Sequence, residues 1–286
     1  MKSLLQTIKQ AERKKIAIGH FNFSEFTVLR AIMGVAKKLK TPVIVGMSEG
    51  EREFFGLNQA VALVESFRKE GALVFLNADH TKSFQKAKEA IDASFDAVLF
   101  DGGRLSLRRN IAETKKVVQY ARKKNQNIVI EGELGYIGGS SQILSEVPRG
   151  AAVQEDQLTT IEEAKQFIKE TGVDMLAPAV GTVHGIVSSY QPRLHLERIK
   201  DIKKAVRVPL VLHGASGVND EAVQKAIKAG MSVVHINTEI RAAWRRALES
   251  SLNTSRDELA PYHILDIPQA AAAEVIEKKL KVFNEK

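Results

Sequence analysis

Short apolar runs rich in β-branched residues alternate with longer stretches of helical period along the whole chain. The runs are "IAIGHFN" (16–22), "PVIVGMS" (42–48), "ALVFLNAD" (72–79), "AVLFDG" (97–102), "NIVIEGEL" (127–134), "MLAPAV" (175–180), "PLVLHG" (209–214) and "SVVHINT" (232–238). Between them lie amphipathic segments such as "SFQKAKEAIDASF" and "NDEAVQKAIKAGM", the second with an Asn/Asp start and a glycine near its end. Strand and helix in regular alternation predict parallel strands joined by crossover helices. Eight such units predict an α/β fold of the (β/α)8 TIM-barrel type, a parallel eight-stranded barrel with outer helices, as one domain over 1–286. An open doubly wound sheet is the alternative, but no GxGxxG follows the first run.

One connection breaks the rhythm. Residues 135–160, "GYIGGSSQILSEVPRGAAVQEDQLTT", form a long connection rich in Gly and Ser at a strand's C-terminal end, which predicts a functional lid or a disordered segment.

Composition excludes several classes. The 286 residues are 44% hydrophobic and include no cysteine, so disulfides and thiolate metal sites are ruled out and any metal must sit on His, Asp or Glu. No stretch approaches ~18 apolar residues, and the charged N-terminus "MKSLLQTIKQAERKK" lacks a secretory core, so a cytoplasmic chain with no membrane partner is expected. The net charge of +8 is spread over helical stretches such as "ETKKVVQYARKKN". With no basic run interleaved with aromatics, no nucleic-acid partner is expected.

In a barrel the chemistry belongs at the C-terminal ends of the strands. Strand three ends in Asp79-His80, strand four in Asp101, and strand five carries Glu131 and Glu133. His184-Gly185 follows strand six, His213-Gly214 ends strand seven, and strand eight carries His235, Asn237 and Thr238. Four of the seven histidines thus fall at one rim. Three neutral imidazoles converging from separate strands make an open zinc site with a position left for substrate. Asp79 adjoins one such histidine, and strand alternation turns it elsewhere, where a carboxylate suits general acid/base work. The glycines after His184 and His213 let backbone N–H groups approach a phosphate, and Ser216 adds a hydroxyl.

At this point the residues resemble a known family, the class II (metal-dependent) fructose-bisphosphate and tagatose-bisphosphate aldolases. The matching stretches are "LNADH", "AVLFDGG", "IEGELGYIGG", "LAPAVGTVHG", "PLVLHGASG" and "INTEIR", in family order over nearly the whole chain. The resemblance implies reversible cleavage of fructose 1,6-bisphosphate to dihydroxyacetone phosphate and glyceraldehyde 3-phosphate, by a cytoplasmic homodimer or homotetramer. It implies zinc on His80, His184 and His213, a secondary metal position at Asp101 and Glu133, and Asp79 as acid/base. Gly185, Gly214, Ala215, Ser216, His235, Asn237 and Thr238 would surround dihydroxyacetone phosphate, often with a monovalent cation nearby. Ser48 would face the far phosphate, and Arg241 would also bind the substrate.

Three departures stand out. His235 occupies the usual asparagine position on strand eight, where it is expected to face inward and donate an N–H to the enediolate, or else to bond a backbone carbonyl. "HGIVSSY" lacks the family's lysine. "GGSSQ" lacks the family's loop acids, leaving Glu146 or the pair Glu155–Asp156 to replace them. The alternatives are a tagatose-bisphosphate or other ketose-phosphate aldolase, and a non-catalytic sugar-phosphate-binding paralogue. A Schiff-base aldolase would need a lysine at a strand's C-terminal end, and none is expected there.

Overall fold

Eight parallel strands close into a barrel: β1 (Ile18–Asn22), β2 (Val43–Met47), β3 (Val74–Thr81), β4 (Ala97–Phe100), β5 (Val129–Leu134), β6 (Met175–Pro178), β7 (Leu210–Leu212) and β8 (Met231–Ile236). The computed structural model describes residues 2–139 and 141–285. Closure is made where β1 pairs with β8, from Ile18 against Val233 to Phe21 against Ile236. This is the (β/α)8 architecture that the alternating pattern predicts.

Each strand is apolar on both faces at its start because helices cover the outside and other strands cover the inside. The inward phase then changes character going up the barrel. Ile18, Phe75, Val129, Val211 and Val233 pack together in the lowest interior layer, closed from below by Leu4, Ile8 and Ala11 of the helix Leu4–Arg13. Two residues further along the same strands stand His20, Asn77, Glu131, His213 and His235, all buried. Side chains two apart share a face, so the apolar floor and the polar layer above it belong to one phase. The second core lies outside the barrel wall, where Phe21, Val45, Leu76, Val98, Ile130 and Leu176 meet the helices.

Two element ends differ from the sequence expectation. β8 stops at Ile236, and Asn237 caps the helix Thr238–Thr254 instead of extending the strand. Ser48 likewise leaves β2 and caps the short helix Glu49–Phe55. The long connection after β5 is partly ordered: Ile143–Leu144 pairs in parallel with Ile186–Val187. No described helix is long and apolar enough to cross a membrane.

Candidate metal and catalytic site

The polar strand ends meet at the C-terminal mouth of the barrel, in a cleft of about 210 Å³ lined by Asn22, Asp79, His80, Asp101, His184 and Arg241, among others. A larger cavity of about 680 Å³ opens at the opposite end, beside Pro42 and Leu73, and contains no such cluster.

Strand β3 does not alternate regularly at its tip. The pairing with β4 shifts register between Ala78 and Thr81, and His80 adopts φ 42°. A left-handed conformation costs a residue with a Cβ roughly 1–3 kcal/mol and is kept where a site needs it. Here it corrects the expectation that Asp79 and His80 point apart. Both reach the mouth, with His80 Nε2 3.9 Å from Asp79 Oδ1.

His80, His184 and His213 present nitrogens that all lie within 4.8 Å of one another. Their rings stand nearly perpendicular in pairs, at 84°, 74° and 88°, so their in-plane lone pairs can converge. One nitrogen of each ring is held from behind. His80 Nδ1 lies 3.1 Å from Asp101 Oδ2, His184 Nδ1 2.9 Å from the Gly138 carbonyl, and His213 Nε2 2.8 Å from Glu131 Oε1. Oxygen partners assign the protons to those nitrogens, as backing groups do for metal-ligating histidines. The bare lone pairs of His184 Nε2 and His213 Nδ1 then face each other at 3.4 Å. Two nitrogens on a tetrahedral zinc at ~2.1 Å would be about 3.4 Å apart. A cation fits there, and it would relieve that lone-pair contact.

The charges agree. Burial holds His184 down to about 4 and His213 well below the usual range, so both rings are neutral. Burial also opposes charge on His80, but Asp79 and the bond to Asp101 overcome it and push His80 up to about 10. Burial raises Asp101 and Asp79, yet Asp101 is held down to about 2 by His80, and Asp79 is held below the carboxylate range chiefly by His80 and His20. Glu133 lies 3.7 Å from His80 Nδ1, with both oxygens buried and unpartnered. Burial pushes it, and Glu131, well above the carboxylate range. His80, Asp101 and Glu133 form a second donor group, compatible with the secondary position that the resemblance implies.

His235 hydrogen-bonds no backbone carbonyl of the described residues. Its ring stacks on that of His20, at 3.5 Å and 4°, and leans on His213 at 3.8 Å. Nδ1 is 3.7 Å from Asp79 Oδ1, and Nε2 is buried without a partner. His20 in turn takes the Asn77 amide on Nε2 at 3.0 Å, and burial lowers it to about 4.

The expected phosphate groups also assemble. Gly185, Gly214, Ser216, Asn237 and Thr238 line one recess with His184 and His213. At Gly214, φ is 64°, and a Cβ would stand 2.5 Å from the Val183 carbonyl oxygen. The helix beginning at Thr238 turns its N-terminus to this recess, an anion-favouring arrangement. Ala215 differs: its side chain belongs to the outer core. Ser48 and Arg241 line the cleft, but both already bond Glu51. Of the loop, Ser140 lies outside the described residues, while Glu146, Glu155 and Asp156 are exposed and none lines the cleft. Lys82, directly after β3, does line it, so a lysine stands at a strand end after all. Sequence reasoning also missed His20, Asn22, Glu51 and the backing role of Glu131. The end of β1, "HFN", carried the signal for the first two.

The comparisons agree with this geometry. The profile of the family described as fructose-bisphosphate aldolase class-II matches residues 2–286. A 6-phospho-5-dehydro-2-deoxy-D-gluconate aldolase of Shouchella clausii is 35% identical, over 97% of this chain and 92% of its own. A fructose-bisphosphate aldolase of Staphylococcus aureus is 32% identical, over 99% and 96%. The crystal structure of the YdjI aldolase from Escherichia coli K12 superposes with a TM-score of 0.80 at 26% identity, over 99% and 96%. The chain belongs to the class II fructose-bisphosphate aldolase family.

Proposed function

We propose that the chain is a metal-dependent aldolase that cleaves fructose 1,6-bisphosphate reversibly into dihydroxyacetone phosphate and glyceraldehyde 3-phosphate. The observation that carries this is the set of three backed histidines whose other nitrogens converge beside an unpartnered oxygen of Asp79. A divalent ion, zinc on this donor set, would be held by His80, His184 and His213 and would supply Lewis-acid polarisation of the ketose carbonyl.

The residues then divide the work. Asp79 Oδ2 is held by the Asn22 amide at 2.9 Å, which leaves Oδ1 free toward the cleft. Oδ1 takes the proton of the C4 hydroxyl, C4 becomes the aldehyde carbon, and the C3–C4 bond breaks. The electron pair passes into the C2 carbonyl to give an enediolate, which becomes dihydroxyacetone phosphate on protonation at C3. Gly185, Gly214, Ser216 and Thr238 fix the near phosphate, and Ser48 and Arg241 meet the far end.

One observation favours a second reading. Arg241 is already paired with Glu51, which suits a singly charged carboxylate at the far end better than a phosphate. The Shouchella clausii relative is named for a substrate that is itself a sugar acid phosphate. Fructose and tagatose bisphosphates and keto-sugar-acid phosphates should therefore be compared by coupled triose-phosphate release. Absence of release from every ketose phosphate, with the metal fully loaded, would leave only a binding role. The exposed Leu252, Leu259, Tyr262 and Ile267 around the last two helices support a homo-oligomer, and the absence of cysteine suits the cytoplasm.

A further inference from the structure

Glu51 is buried at 5% exposure and belongs to none of the candidate metal groups. Its carboxylate accepts from four donors. Oε2 takes the Ser48 amide at 2.7 Å, the Ser48 hydroxyl at 2.9 Å and Asn22 Nδ2 at 3.0 Å, while Oε1 takes Arg241. That fills its acceptor capacity. The same Asn22 nitrogen also donates to Asp79 Oδ2 at 2.9 Å. Because one NH₂ spans two carboxylates, the orientation of the Asn22 amide is fixed: turned over, it would set its oxygen against both.

We infer that Glu51 is a positioning residue that ties the far end of the cleft to the acid/base, by holding Arg241 and the Asn22 amide that orients Asp79. This rests on the role proposed above for Asp79. A plainer role is also visible, since Ser48 and Glu51 form a capping box for the helix Glu49–Phe55. Both roles use Oε2, so they separate by readout: loss of the cap lowers stability, and loss of the Asn22 contact lowers kcat with the metal kept. Glutamine serves a capping box as well as glutamate does. An oxygen kept on Ser48 stays on Asn22 as well, however, and only the new NH₂ meets Arg241, so the test removes both oxygens.

The expected result for Glu51→Ala is an unchanged metal content and a melting temperature lowered by the stranded donors, with kcat lowered between about tenfold and a hundredfold through misplacement of Asp79. Asn22→Ala should lower kcat similarly, and the double variant should be no worse than the worse single one. Losses that multiply in the double variant would overturn the relay, as would an unchanged kcat in Glu51→Ala. A crystal structure of Glu51→Ala reads the coupling without turnover: the Asn22 amide should leave Asp79, and a retained 2.9 Å contact overturns the inference. Should that variant not fold, Glu51→Asp keeps the charge but falls short of Asn22, and the same displacement is expected. If the wild-type protein cleaves no ketose phosphate, the proposed function fails, while the crystallographic comparison still decides the coupling.

Discussion

Five histidines crowd the mouth of the barrel in two different arrangements. His80, His184 and His213 stand edge to face, each with one nitrogen held by an oxygen and the other aimed at a common point. His20 and His235 lie flat on each other, at 4° between planes. Lone pairs run in the ring plane, so parallel rings cannot both aim at one ion between them, although His20, Asp79 and His235 are as close together as the first three. Proximity of donors is thus a poor guide to a metal site. Ring orientation and the partner behind each nitrogen decide.

The largest test of this contrast removes one member from each arrangement. His184→Ala should abolish stoichiometric zinc and nearly all turnover, whereas His235→Asn should keep the metal. Metal analysis after dialysis, together with coupled turnover, measures both. Full activity after exhaustive chelation would remove the metal from the chemistry altogether.

Asp79 adjoins both groups and belongs to neither as a ligand. Asp79→Ala should leave zinc bound while turnover falls by roughly two to four orders of magnitude. Metal lost in proportion to activity would make Asp79 a ligand and merge the two arrangements. A smaller effect is expected behind the ring of His213. Glu131→Gln keeps the size of the side chain but can turn an NH₂ toward His213 Nε2, and zinc affinity should drop about 10–100-fold. Competition with a chromogenic chelator reads this directly, and an unchanged affinity would show that His213 needs no backing.

The barrel itself was legible because eight apolar runs separated by amphipathic stretches leave few other solutions. The triad was legible for the same reason, since His80, His184 and His213 each follow or end a strand. What stayed hidden depends on local geometry that spacing does not carry. The bulge with φ 42° at His80 puts two consecutive residues on one side, against strand alternation. Asn237 and Ser48 look like strand ends until the chain turns into a helix at each. His20 was visible as a letter, yet it gained meaning only when β1 closed beside β8 and set it opposite His235. Glu51 sits on a short helix outside any strand, and only the folded chain carries it to Asn22.

The smallest effect concerns the space that the parallel pair occupies. Gly46 on β2 flanks His20, and a Cβ built there would lie 2.1 Å from the ring. The stack therefore needs a glycine on the neighbouring strand. Gly46→Ala alone should destabilise the protein by forcing that ring aside, typically about 1–3 kcal/mol for an overpacked core. His20→Ala alone should cost about as much, because it empties a buried volume and strands the Asn77 amide. Combined, the two changes remove the clash and partly fill the hole, so the double variant should be more stable than the sum of the singles predicts. Zinc content should be unchanged in all three. Urea denaturation of the four proteins measures the coupling. Simple additivity would mean that His20 is free to move, and loss of zinc in His20→Ala would mean that the flat pair supports the metal after all.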